Sequence, residues 1–235
     1  MLLDVYHRLL DRYGPQHWWP AETPLEMIVG AILTQSAAWG NVEKAISNLK
    51  AREVLSVDRL RQLPEGELAR LIYSSGYYNV KARKIKAFVD WLGAHYDDNL
   101  DRLFALDVPA LRQELLSVHG VGEETADSII LYAARKPIFV IDAYTRRIIT
   151  RLGLAPSNNS YAAFQVLFMQ RLSHDESLFN EYHALLVRHG KTACRRVPLC
   201  DSCCLVLSCL FPKSSGGVPR TNLAHEMLII FALGW

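Results

Sequence analysis

The chain has 235 residues, half of them hydrophobic, and a formal net charge of only +2. That hydrophobic content suffices for a sizeable core and excludes wholesale disorder, while the near-neutral balance excludes naming a partner from charge alone. No apolar run reaches the roughly 18 residues needed to span a bilayer, and the opening MLLDVYHRLLDRYG, with acids at Asp4 and Asp11, lacks the pattern of a secretory signal, so a cytoplasmic protein is expected.

The same opening has the period of an amphipathic helix. Thr23-Pro24 is a good N-cap and first-position pair for an apolar helix over Thr23–Leu33. The pattern then predicts helices over Asn41–Lys50, Val57–Leu63, Glu65–Tyr73, Asn79–Tyr96 and Leu100–Ala105. Asp107 can cap a helix carrying Pro109, Leu111 and Leu115, which stops within Ser117–Gly122. The following helix starts with Glu123 and Glu124, which suit the positive end of its dipole. Its Ala126, Ile129, Ile130 and Ala133 repeat as one buried face. Asp142 can cap a helix over Ala143–Arg151. FPKSSGGVPRTN, residues 211–222, reads as a linker before the apolar tail HEMLIIFALGW. Alternating strand patterns are scarce, so the expected class is all-α.

Basic charge is gathered rather than spread. Residues 77–86 carry Lys81, Arg83, Lys84 and Lys86 without an acid; residues 135–151 carry five basic residues, Arg146 and Arg147 among them, against Asp142 alone; a third group surrounds Arg195 and Arg196. A polyanionic partner would require such clustering, and solvated helix faces would also produce it. Between two helices, His119-Gly120-Val121-Gly122 forms a helix-hairpin-helix turn. Glycines there can take positive φ and remove Cβ atoms, letting backbone N–H groups meet a phosphate. The alternative is a plain αα-hairpin with a glycine cap. Cys194, Cys200, Cys203 and Cys209 have the spacing C-x5-C-x2-C-x5-C, with Cys204 as a surplus thiol. Four thiolates in one segment suit a cubane iron–sulfur cluster; a structural zinc ion is the alternative.

Together, VHGVGEETADSIILYAARKPIFVIDAYTRR and CRRVPLCDSCCLVLSC resemble the helix-hairpin-helix Gly/Pro…Asp (HhH-GPD) superfamily of DNA glycosylases, in its endonuclease III branch, over about residues 1–210. The resemblance implies an all-α, two-domain DNA glycosylase fold: residues 22–134 as a six-helix domain containing the hairpin, residues 1–21 plus 135–211 as a helical domain with an iron–sulfur loop, and 212–235 as linker and tail. It implies a catalytic role for Asp142, DNA contacts by Gly120, Val121, Gly122 and Arg146, and a 4Fe-4S cluster on Cys194, Cys200, Cys203 and Cys209. The first gap in the cysteine run is five residues where the branch usually has six.

Two departures narrow the branch. Glu124 stands where endonuclease III has its Schiff-base lysine, and Gly30 stands where the adenine-mismatch branch has a glutamate. HWWP, ILTQSAAWGNVEKAISNLK and SSGYYNVKARKIKAF resemble instead the type III 3-methyladenine glycosylases. That similarity implies base stacking on Trp39, a pocket wall of Trp18, Trp19 and Pro20, and insertion of Gln35 and Tyr77 into the duplex. The expected function is a monofunctional glycosylase releasing alkylated purines from damaged double-stranded DNA, acting as a monomer in the nucleoid. Two other readings stay open: an oxidised-pyrimidine glycosylase and lyase using another lysine such as Lys191, and a non-catalytic DNA-binding module.

Overall fold

The computed structural model describes residues 1–211; most of the expected linker and the whole apolar tail lie outside the described residues. The described chain is helical without strands: α1 Leu2–Tyr13, α2 Pro24–Leu33, α3 Trp39–Ala51, α4 Val57–Gln62, α5 Glu65–Leu71, α6 Tyr78–Tyr96, α7 Leu100–Phe104, α8 Val108–Ser117, α9 Glu123–Ser128, α10 Ala143–Arg151, α11 Tyr161–Met169 and α12 Glu176–Thr192.

Apart from Glu26, which pairs with Lys50, α2 is apolar all round, and such a helix belongs at the centre of a core. Every residue from Leu25 to Leu33 is buried. Thr23 caps it by accepting from Glu26 N at 3.1 Å, and its neighbours are α3, α6, α9 and the segment Ile129–Ala133. That segment was expected to continue α9 as an α-helix. It is instead a π-turn, with Ala134 N donating to Ile129 O five residues back. The wider turn takes one extra residue, as often happens beside functional sites, and it delivers Tyr132 to Trp19 on one side and His183 on the other.

A second centre is aromatic. Phe139 and Phe168 stack in parallel at 3.8 Å, with the edges of Phe179 and Tyr182 against Phe139. Tyr182 OH donates to Leu2 O at 2.8 Å, tying α1 to α12. Sequence patterning did not anticipate α11 and α12, although Ser160 and Asp175 cap them in the ordinary way.

The expected helix over Glu65–Tyr73 ends at Leu71, and a single 3-10 turn over Tyr73–Ser75 replaces its last residues. Lys81 explains the change. It was read as part of a basic face, but it is only 2% exposed, and its Nζ donates to Leu33 O at 2.8 Å and Ser75 O at 2.6 Å. The ammonium thus clamps the end of α2 to the turn that carries Tyr77. Burial pushes the Lys81 amine down to about 8. Tyr77 itself is left-handed (φ 48°) and 73% exposed, the exposed turn that GYYN suggested.

Candidate active site

The hairpin between α8 and α9 is built around Val121, which is buried and whose N donates to Val118 O at 3.1 Å. Its side chain is therefore core, and only backbone faces outward. Gly120 has φ +85°, and a Cβ there would collide with the Lys84 stem. Gly122 corrects the expectation of paired left-handed glycines. It is extended (φ −96°, ψ 179°), with open space around it. Its missing Cβ removes no internal clash and leaves the approach to the start of α9 clear.

Gln35 lies across this hairpin. Its Nε2 donates to Gly120 O at 3.1 Å and Thr125 Oγ1 at 2.9 Å, and its Oε1 accepts from Lys84 Nζ. With Lys84, Gly120, Glu124 and Arg146 it lines a cleft of about 490 Å³. Glu124 opens onto this cleft, yet the surrounding protein withdraws enough water, and Asp142 lies near enough, to push its carboxyl up to about 7.

Asp142 caps α10 as its sequence position implied: Oδ1 accepts from Thr145 N at 2.7 Å. The residue is only 9% exposed. Its other oxygen, Oδ2, faces His183 Nε2 at 3.8 Å, and His183 Nδ1 lies 2.5 Å from Tyr132 OH. Burial holds His183 below the usual imidazole range, with Asp142 opposing, and keeps the Tyr132 phenol well above its usual range. Sequence reasoning missed this Tyr132–His183 pair. A lone tyrosine in IILYAARK and a lone histidine in EYHALL look like core residues, and no motif joins them.

The three tryptophans come together. Trp18–Trp39 ring centroids are 4.6 Å apart, Trp18–Trp19 4.9 Å and Trp19–Trp39 5.2 Å. Gly30 explains how Trp19 fits: a Cβ on that glycine would stand 3.1 Å from the indole, so the ring lies on bare helix backbone. Trp19 touches Tyr132 at 5.5 Å between centroids, which connects the aromatic wall to His183 and Asp142. Pro20 is exposed and shares a second cleft of about 220 Å³ with Trp19, Gly30 and Trp39.

Arg146, Arg147 and Arg151 belong to the basic cluster of residues 135–151, and the structure divides them. Arg146 reaches the cleft while its Nη1 donates to Asn159 O. Arg147 donates to Cys194 O at 2.8 Å and Gly190 O at 3.0 Å. Arg151 donates to Arg195 O, Arg196 O and Cys194 Sγ, and lies over the Phe211 ring at 4.4 Å. The last two serve the cysteine loop.

Cys194, Cys200, Cys203 and Cys209 line one small apolar-walled void, and Cys204 does not take part. Among the described residues no three His, Cys, Asp or Glu side chains are arranged to hold a single metal ion. Four thiols lining one void are the donor set that a cubane iron–sulfur cluster takes. His189, 3.6 Å from Cys203 Sγ, is the one imidazole beside them among the described contacts.

Comparison with known proteins places these features in context. Residues 29–174 match the family described as the HhH-GPD superfamily base excision DNA repair protein. A Methanocaldococcus jannaschii protein named as a DNA repair glycosylase is 44% identical over 212 residues, covering 89% of this chain and 96% of the relative. Two solved structures share the fold. One is Helicobacter pylori 3-methyladenine DNA glycosylase (MagIII) bound to 1,N6-ethenoadenine, with TM-score 0.69 at 24% identity over 81% of this chain and 97% of that one. The other is a trapped endonuclease III–DNA covalent intermediate, with TM-score 0.77 at 22% identity over 91% of this chain and 98% of that one.

Proposed function

Since the chain belongs to the HhH-GPD superfamily and is a base-excision DNA glycosylase, we propose that it is a monofunctional enzyme releasing alkylated purines, such as 3-methyladenine, from double-stranded DNA. The observation that carries this reading is the wall of Trp18, Trp19 and Trp39, joined through Tyr132 and His183 to Asp142. A 3- or 7-alkylated purine is cationic. It is attracted to an indole face by ~0.5–2 kcal/mol, and its glycosidic bond is already weak. The nucleotide leaves the stack, with Gln35 and Tyr77 filling the gap and the backbone of Gly120–Gly122, together with Arg146, holding phosphates. Asp142 stabilises the oxocarbenium-like sugar and takes a proton from water. Glu124, standing where a Schiff-base amine would be needed, supports hydrolysis without strand cleavage.

Trp39 packs edge to face against both Trp18 and Trp19, which are tilted against each other. A base therefore stacks on the outside of the group, and Trp39, at the first position of α3, is the proposed platform. Trp39→Leu keeps apolar bulk and loses the π face. Release of 3-methyladenine is expected to fall roughly 3- to 30-fold, and more than release of a neutral base. An unchanged ratio between the two, beside a lower melting temperature, would assign Trp39 to the core.

The proposed cofactor is a 4Fe-4S cluster on Cys194, Cys200, Cys203 and Cys209, and the proposed division is residues 22–134 against 1–21 plus 135–211. When bound, the cluster supplies a rigid cross-link for the loop; the chain's contribution is the guanidinium of Arg151, which donates to Cys194 Sγ at 3.3 Å. Protein purified without oxygen should be brown and carry about four irons per chain. Stoichiometric zinc and no visible absorption would contradict this. We further propose that the enzyme is monomeric and acts in the nucleoid; no helix among the described residues is long and apolar enough to cross a membrane.

A further inference from the structure

We infer that His183, oriented by Tyr132, is a positioning residue that holds the attacking water against Asp142 Oδ2. The inference rests on the reading of Asp142 as the catalytic carboxylate and goes beyond it to another element, α12. His183 is 7% exposed, and its Nε2 is one of two buried side-chain polar atoms with no protein hydrogen-bond partner among the described residues; the other, Thr145 Oγ1, sits one turn after Asp142 on α10. Buried polar atoms are nearly always satisfied, so His183 Nε2, facing the Asp142 carboxylate, is fitted for something other than protein. The separation of 3.8 Å between Nε2 and Oδ2 is too long for a direct hydrogen bond and suited to one bridging water.

The tautomer follows from the other ring nitrogen. Tyr132 OH is 2.5 Å from Nδ1. The phenol stays protonated in its buried position and donates to Nδ1, so the imidazole carries its hydrogen on Nε2. Nε2–H then donates to the water oxygen, and one water O–H donates to Asp142 Oδ2. A lone pair remains for C1′. As the C1′–N bond breaks, its electron pair leaves with the base, the water oxygen bonds to C1′, and the water proton passes to Asp142. His183 keeps its own hydrogen throughout. Lys191, the other charged group felt by His183, takes no part in the step.

The test uses the purified full chain on alkylated duplex DNA in water and in buffered methanol–water mixtures, comparing wild type with His183→Leu, His183→Gln and Tyr132→Phe. For His183→Leu, single-turnover release should fall roughly 100- to 1,000-fold, the effect of losing one well-placed donor. The share of sugar captured by methanol should rise at least about threefold relative to wild type, because a lost water site no longer favours water. His183→Gln, which keeps an N–H donor, should recover part of the rate and most of the selectivity for water, and Tyr132→Phe should fall between. Binding to a duplex with a tetrahydrofuran abasic site should stay within about threefold in all three. A rate loss with an unchanged methanol share in those variants whose melting matches wild type would make His183 a packing residue and overturn the inference. No base release by the wild type from any alkylated duplex would overturn the proposed function itself, and the water site with it.

Discussion

Asp142→Asn is expected to abolish base release, by roughly 10³-fold or more, while leaving binding to damaged DNA within a few-fold of wild type. One side chain holds two separable roles. As the N-cap of α10, Asp142 accepts from Thr145 N at 2.7 Å, and asparagine does this equally well. In its proposed role as the charge beside the sugar, it would stabilise a cation that exists only in the transition state, and asparagine would not. A 10³-fold loss corresponds to about 4 kcal/mol of transition-state stabilisation. The phosphate contacts proposed for the hairpin lie elsewhere and should persist. Asp142→Ala should lose the same activity and, in addition, about 1 kcal/mol of stability with the cap. Equal melting for wild type and Asn, a lower value for Ala, and no activity in either variant is the expected set. Substantial release by Asp142→Asn would reduce the residue to a helix cap.

Glu124→Lys is expected to create an activity rather than remove one. Wild type should give no covalent product when borohydride is added to a reaction on damaged or abasic DNA, and Glu124→Lys should give one. Position 124 lies in the first turn of α9 and opens onto the cleft, near Asp142. The loss of hydration that pushes the Glu124 carboxyl up to about 7 would push an amine there down, with the Asp142 carboxylate opposing, and so leave more free amine than an exposed lysine has. That amine can add to C1′ and lose water to form an imine, which borohydride reduces to a stable link. Trapping by the wild type would point instead to Lys191, whose amine burial pushes down and which interacts with Asp142. It would favour the lyase reading. No trapping by Glu124→Lys would show that the cleft does not present this position to the sugar.

Much of the fold was legible because local signals agreed with it. Thr23, Asp107 and Asp142 sit before apolar periods, and each caps the helix it was expected to cap. The all-α class followed from short periodic stretches separated by glycine and proline, and the chain's family from the hairpin and cysteine spacing taken together. What was not legible depends on contacts between distant segments. Lys81 reads as one more cation in a basic run, and only the meeting of Leu33 and Ser75 makes it a buried clamp. Arg147 and Arg151 share a run with Arg146, yet they bind carbonyls some 45 residues away in the cysteine loop. The π-turn at Ile129–Ala133 leaves no mark in a pattern that still reads as one buried helical face. The Tyr132–His183 pair joins residues 51 positions apart. The proposed site was legible in its parts, the tryptophans, the hairpin and Asp142. The connection from Trp19 through Tyr132 and His183 to Asp142 appeared only in three dimensions.

The most direct test of the proposed function is to incubate the purified protein with methylated double-stranded DNA, identify every released base by mass spectrometry, and measure strand integrity on the same samples. The account predicts free alkylated purines, 3-methyladenine among them, with strands that remain intact until alkali cuts them at the new abasic sites. Release confined to oxidised pyrimidines in a parallel oxidised substrate, or strand cleavage accompanying release before alkali is added, would contradict it.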